Sequence, residues 1–88
     1  MEVVIKGHAG FEAERRDISE KLIKFVVKNP QQKLPSKKGR VIVQNKYYDE
    51  VEKKEMLIRI IGLETSEKFN VVTVYKTSKI SKYWIEGG

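Results

Sequence analysis

The stretch Arg40–Tyr48, RVIVQNKYY, decides the architecture. Its β-branched and aromatic residues, with polar Gln44 and Lys46 two apart, read as a half-buried strand of period two. Two runs of the same kind follow, EMLIRIIGL at Glu55–Leu63 and FNVVTVY at Phe69–Tyr75, joined by polar turns rich in Asp, Glu, Lys and Ser. Such short connections join antiparallel neighbours, so the second half of the chain is expected to be a meander.

Upstream the pattern changes. Glu2 to Lys6 is a short β-rich run closed by Gly7, and the residues from about Ala9 to Arg16 favour helix. Asp17 and Ser19 are both N-cap types, Asp17 stands three before Glu20 as in a capping box, and Ile18 and Ile23 suit a hydrophobic staple around Ser19. A break or bend is therefore expected near Asp17. Ile18, Leu22, Phe25 and Val26 then recur at helical spacing until Asn29-Pro30, where proline disfavours a helical residue before it. Gln31 to Gly39 reads as a basic loop. Beyond the last strand, Thr77 or Ser78 is expected to cap a short helix with Ile80, Tyr83 and Trp84 on one face. The expected fold is α+β within a single domain, residues 1–88. It comprises an N-terminal short strand, a bent helix or helix pair packed on a three- to four-stranded antiparallel sheet, and a short C-terminal helix.

A chain of 88 residues and 10.2 kDa holds one small core, so most periodic apolar positions are spent on packing. The absence of cysteine excludes disulfides, thiolate metal sites and thiol nucleophiles, and a lone histidine argues against zinc. No cofactor and no metal are expected. Asp49, Glu50 and Glu52 read as a solvated hairpin turn. No segment approaches the roughly 20 apolar residues of a spanning helix, and Met1 to Lys6 lacks a secretory leader, so a cytoplasmic protein without membrane contact is expected. The net charge of +6 is uneven: residues 29–46 hold five basic and no acidic groups, and residues 69–88 hold three and one. A basic face attracts phosphate, whereas scattered lysines only confer solubility.

Strand alternation assigns faces. Val41, Val43, Ile58, Ile60, Val72 and Val74 are expected under the helices. Gln44, Lys46, Tyr48, Arg59, Thr73 and Tyr75 then share the opposite face with Ile42, Leu57 and Ile61. That mixture of cations, aromatics and apolar residues suits phosphate contacts and base stacking, and equally suits a protein partner.

His8 is the one side chain whose ordinary pKa, about 6.5, allows proton transfer near neutrality. It opens a helix, with Glu12 and Arg16 following at steps of four and Arg15 nearby. Catalytic and structural readings of His8 stand side by side. Glu12 and Arg16 form a favourable intrahelical pair, or Glu12 orients His8. Thr73 and Tyr75 point the same way from their strand and offer hydroxyl and phenol to phosphate, though both are ordinary strand formers. Lys76, Lys79 and Lys82 follow at once. Trp84 with Tyr83 and Ile80 reads as a lid packing on the core.

His8-Ala9, Arg16, Asp17-Ile18-Ser19, Asn29-Pro30, Val71 to Tyr75 and Thr77-Ser78-Lys79 together resemble the domain of unknown function family forty-two fifty-eight, small proteins similar to RelE-type ribonuclease toxins. The likeness runs from His8 to about Tyr83. Glu12 stands where the family carries an arginine, and Asp17 where it carries a glycine. The resemblance implies a RelE-like α+β fold and metal-independent endoribonuclease activity within toxin and antitoxin systems.

The leading expectation is RNA cleavage by attack of the ribose 2′-hydroxyl. His8 is then general base or acid, Arg16 with Arg15 or Arg59 stabilises the phosphorane, and Thr73 and Tyr75 position the phosphate. Arg15, Lys46, Tyr48, Arg59, Lys76 and Lys79 are expected to bind the RNA, ribosome-associated RNA included. The alternatives are a non-catalytic RNA-binding module and a module whose open sheet face receives an antitoxin protein.

Overall fold

The computed structural model describes residues Met1–Gly87. The chain is α+β, with strands β1 (Glu2–Ile5), β2 (Gln32–Pro35), β3 (Val41–Asp49), β4 (Lys54–Glu64) and β5 (Lys68–Thr77), and helices α1 (Gly7–Arg15), α2 (Glu20–Lys28) and α3 (Ile80–Tyr83). The five strands form one sheet in the order β1-β5-β4-β3-β2. β2 to β5 pair antiparallel, whereas β1 pairs parallel with β5, Val3 opposite Phe69 and Ile5 opposite Val71. The expected sheet of three or four antiparallel strands is thus corrected to five strands in a mixed sheet. No described helix is long and apolar enough to cross a membrane.

The break between helices lies where the residues place it. α1 ends at Arg15, and Asp17 takes a φ of +56°, a conformation that asparagine and aspartate tolerate better than most side chains. Ser19, not Asp17, is the cap: its Oγ accepts the N–H of Leu22 at 3.1 Å. α2 stops at Lys28, ahead of Asn29-Pro30. Thr77 accepts the N–H of Lys79 at 3.1 Å, but no side chain caps α3, contrary to expectation.

Ala9, Ala13, Ile18, Ile23, Val26 and Val27 from the helical half meet Val43, Ile58, Ile60, Phe69, Val71 and Val74 of the sheet in one core. One expected core residue is displaced. Val72 is only half-buried, because the β4–β5 register slips between Ile61 and Gly62: Ile61 faces Thr73 while Gly62 faces Val71. The extra residue is a β-bulge, which reverses side-chain parity and puts Phe69 and Val71 on the helix side with Val74. Phe69 is fully buried beside Gly62, and a side chain at Gly62 would meet its ring.

The basic loop is also structured. Gln32 to Pro35 pairs with β3, Leu34 opposite Ile42, and ends in a tight turn at Lys37–Gly39. Its lysine and proline are residues that edge strands accept.

Candidate nucleic-acid interface

Alternation carries Gln44, Lys46 and Tyr48 of β3, Leu57, Arg59 and Ile61 of β4, and Thr73 and Tyr75 of β5 to the face away from α1 and α2. Their neighbours Val43, Ile58, Ile60 and Val74 lie in the helix-side core. The face is not wholly open. The segment after β5 turns back over it, and Leu57, Gln44 and Arg59 are buried there.

The anchor of that return is a pair of amides. Gln44 Nε2 donates to Gln32 Oε1 at 2.7 Å and to the carbonyl of Tyr83 at 3.2 Å. Gln32 Nε2 donates to the carbonyl of Ile85 at 2.7 Å, and Gln32 Oε1 accepts the N–H of Ile85 at 3.1 Å. These bonds set Tyr83 and Trp84 against the cations of the sheet. Arg59 Cζ lies 4.3 Å from the ring centroid of Tyr83, Lys46 Nζ lies 4.2 Å from that of Trp84, and Lys82 Nζ lies 5.3 Å from that of Tyr83. Tyr75 and Tyr83 meet edge to face at 6.4 Å.

Arg59 is the centre of this cluster. Only 8% exposed, it donates from Nε to Gln44 Oε1 at 2.8 Å and from Nη1 to the phenol oxygen of Tyr75 at 2.6 Å. Among the described residues no carboxylate pairs with Arg59, Lys46 or Lys82. Burying a charge is costly unless it is paired. Here only neutral dipoles and aromatic faces meet the guanidinium, and they leave its net charge in place. A guanidinium so placed matches the bidentate geometry of phosphate or carboxylate oxygens.

The helix side has a different chemistry. A cleft of about 490 Å³ opens at the end of α1, lined by Arg15, Arg16, Asp17, Lys54, Lys76 and Ser78 among others. Its cations are largely committed. The buried carboxylate of Glu12 accepts from Arg15 at 2.8 Å and also from Arg16, and Lys76 Nζ, its side chain 9% exposed, pairs with Asp49 at 2.9 Å. Asp49 further accepts from the phenol of Tyr47 at 2.6 Å and from the N–H groups of Val51 and Glu52. Burial would raise the Asp49 carboxyl, but the bonds from Tyr47, Glu52, Lys76 and Val51 outweigh it and hold the group well below the usual carboxylate range. Burial, then the bond to Asp49 and its charge, push the Tyr47 phenol far above its ordinary value.

The residues expected from sequence therefore divide. Lys46, Tyr48, Arg59, Thr73 and Tyr75 share the sheet face. Arg15, Arg16 and Lys76 sit at the helix-side cleft, and Lys79 is exposed just before α3. His8 is exposed in the first turn of α1, whose Ala9 and Ala13 pack on the side of Val74, whereas Tyr75 belongs to the opposite face of β5. Glu12 serves Arg15 and Arg16 and makes no bond to His8. Gln44, Tyr83 and Trp84 complete the cluster and were not among the expected site residues. Tyr83-Trp84 flanked by Lys82 was the available signal, since aromatic rings next to cations serve phosphate and base alike. Comparison with known protein families, with curated proteins and with solved structures finds no match.

Proposed function

We propose that this protein binds single-stranded RNA on the sheet face, with Arg59 as phosphate anchor and Tyr48, Tyr83 and Trp84 as stacking surfaces. The observation that carries the reading is the nearly buried guanidinium of Arg59, flanked by Lys46 and Lys82 and, among the described residues, answered by no carboxylate. Phosphate supplies the missing anion. Rings beside it favour unstacked bases, because a base inside a duplex offers no free face. Tyr48, 59% exposed on the same face, extends that surface. The resemblance to ribonuclease toxins supports RNA as the polyanion.

Transesterification through the 2′-hydroxyl needs an acid or base at the phosphate. His8 belongs to α1 and Arg59 to the sheet face away from that helix, so the reading ends at binding. The test is fluorescence anisotropy with a labelled single-stranded RNA, together with incubation in EDTA. Binding that weakens steeply with salt and falls roughly thirtyfold in Arg59→Ala supports it. No binding at low salt removes it, and 2′,3′-cyclic phosphate ends that vanish in His8→Ala would restore the nuclease expectation.

A further inference from the structure

The basic hairpin between β2 and β3 is a second, independent concentration of charge. Residues 29–46 hold five cations and no carboxylate. Lys33 is answered from another strand, by Glu64 at 2.5 Å, and Lys46 stacks on Trp84. Lys37, Lys38 and Arg40 make no ion pair among the described residues. All three sit in one hydrogen-bonded turn: the N–H of Arg40 donates to the carbonyl of Lys37 at 3.1 Å, and the N–H of Ser36 to that of Arg40 at 2.8 Å.

The turn has positive φ at both central residues, +59° at Lys38 and +72° at Gly39, as in the type I′ turns that suit a twisted hairpin. Asparagine or glycine fits the first of these places better than lysine does, so the hairpin alone does not call for a cation there. Arg40 is extended, with φ −82° and ψ 163°, and so continues the alternation of β3 that carries Ile42, Gln44 and Lys46 to the sheet face. At about 3.3 Å per residue, Arg40 lies about 13 Å along that face from Gln44, the partner of Arg59. An extended nucleic-acid strand covers that span in a few nucleotides. Gln31 to Lys46 contains no aromatic residue, so the tip offers charge without stacking.

We propose that Lys37, Lys38 and Arg40 form a second phosphate-contact site, engaged by RNA that leaves the Arg59 cluster and runs along β3 to the hairpin tip. The proposal rests on the reading of the sheet face as an RNA interface. Contacts of this kind read no sequence and raise affinity in proportion to the phosphates they neutralise. Binding should therefore depend on length: a short oligomer fills the Arg59 cluster alone, and a longer one reaches the tip as well.

The experiment compares the full chain with the variant Lys37→Gln/Lys38→Asn/Arg40→Gln, whose asparagine suits the positive φ. Circular dichroism confirms that the variant is folded. The probes are oligouridylates of about 3 and about 12 nucleotides, the longer within the range of known single-strand site sizes. The variant is expected to bind the longer probe about tenfold or more weakly. Its plot of log affinity against log salt should be shallower by about 2, for three contacts at roughly 0.7 each. The short probe should bind both proteins alike. Equal affinity and equal salt slope for the longer probe would overturn the second site while leaving the Arg59 reading in place. Failure of the wild-type chain to bind either probe would overturn the Arg59 reading, and the second site with it.

Discussion

Arg59 and Tyr75 stand opposite each other in the register of β4 and β5, and the guanidinium donates to the phenol oxygen at 2.6 Å. The bond fixes a cation that has no carboxylate partner among the described residues, and the phenol oxygen of Tyr75 serves there as acceptor. Both groups lie against the ring of Tyr83.

Arg59→Ala should weaken single-stranded RNA binding by about 2 kcal/mol, roughly thirtyfold, the scale of a lost charge-assisted contact. Arg59→Lys keeps the charge but loses the planar fork, and should fall between wild type and alanine. Anisotropy titrations at fixed salt decide the order of the three.

His8→Ala should leave both RNA affinity and stability within about 0.5 kcal/mol of wild type, since the side chain is exposed and makes no hydrogen bond among the described residues. A tenfold loss of affinity on this substitution would show that the binding surface extends around α1. Urea titration supplies the stability half of the measurement.

Asp49 and Tyr47 give stability a pH window. The Asp49 carboxyl is depressed in the folded state, so between the folded and unfolded pKa the unfolded chain binds the extra proton. Its contribution is complete above the ordinary carboxylate range and is lost as pH falls below about 4. The Tyr47 phenol is raised, so its contribution holds below about 10 and is lost as the unfolded phenol ionises above that. Asp49→Asn should cost about 3 kcal/mol at pH 7, because it leaves the buried Lys76 ammonium without its counter-charge, and should flatten the acid flank. Melting temperatures of both proteins from pH 3 to pH 11 test this.

Gly62→Ala should destabilise the fold by about 3 kcal/mol. A β-carbon there would meet the ring of Phe69 and, at 2.5 Å, the carbonyl oxygen of Asn70, neither of which can give way without moving β5. Gly10→Ala, whose β-carbon would meet only Ile5 at 4.0 Å, is the control and should be neutral or stabilising. Urea midpoints compare the two.

The local signals read well from sequence because they act over a few residues. Ser19 caps α2, Asn29-Pro30 ends it, and the three long strands follow their β-branched residues. What was not legible depends on pairing across the chain. Gln32–Pro35 has the composition of a loop and becomes a strand only because β3 offers it hydrogen bonds. The parallel pairing of β1 with β5 joins residues more than sixty apart, and the bulge at Val72, which sets Phe69 beside Gly62, is something no period reveals. Half of the candidate site was visible as Lys46, Tyr48, Arg59, Thr73 and Tyr75 on one face. The lid of Tyr83 and Trp84 was legible, but not that it covers this face instead of packing on the core, since Gln32 and Gln44 carry no sign that they will hold the carbonyls of Ile85 and Tyr83.

Trp84 is the chain's only tryptophan and lies under Lys46, beside the cluster that Arg59 centres, so its fluorescence reports directly on that face. Titration with single-stranded RNA at rising salt should give a saturable change in Trp84 emission whose midpoint moves to higher RNA concentration as salt increases, and Arg59→Ala should move that midpoint up roughly thirtyfold at fixed salt. Emission that stays constant while RNA binds, or an unaltered titration in Arg59→Ala, would contradict the assignment of the sheet face as the RNA site.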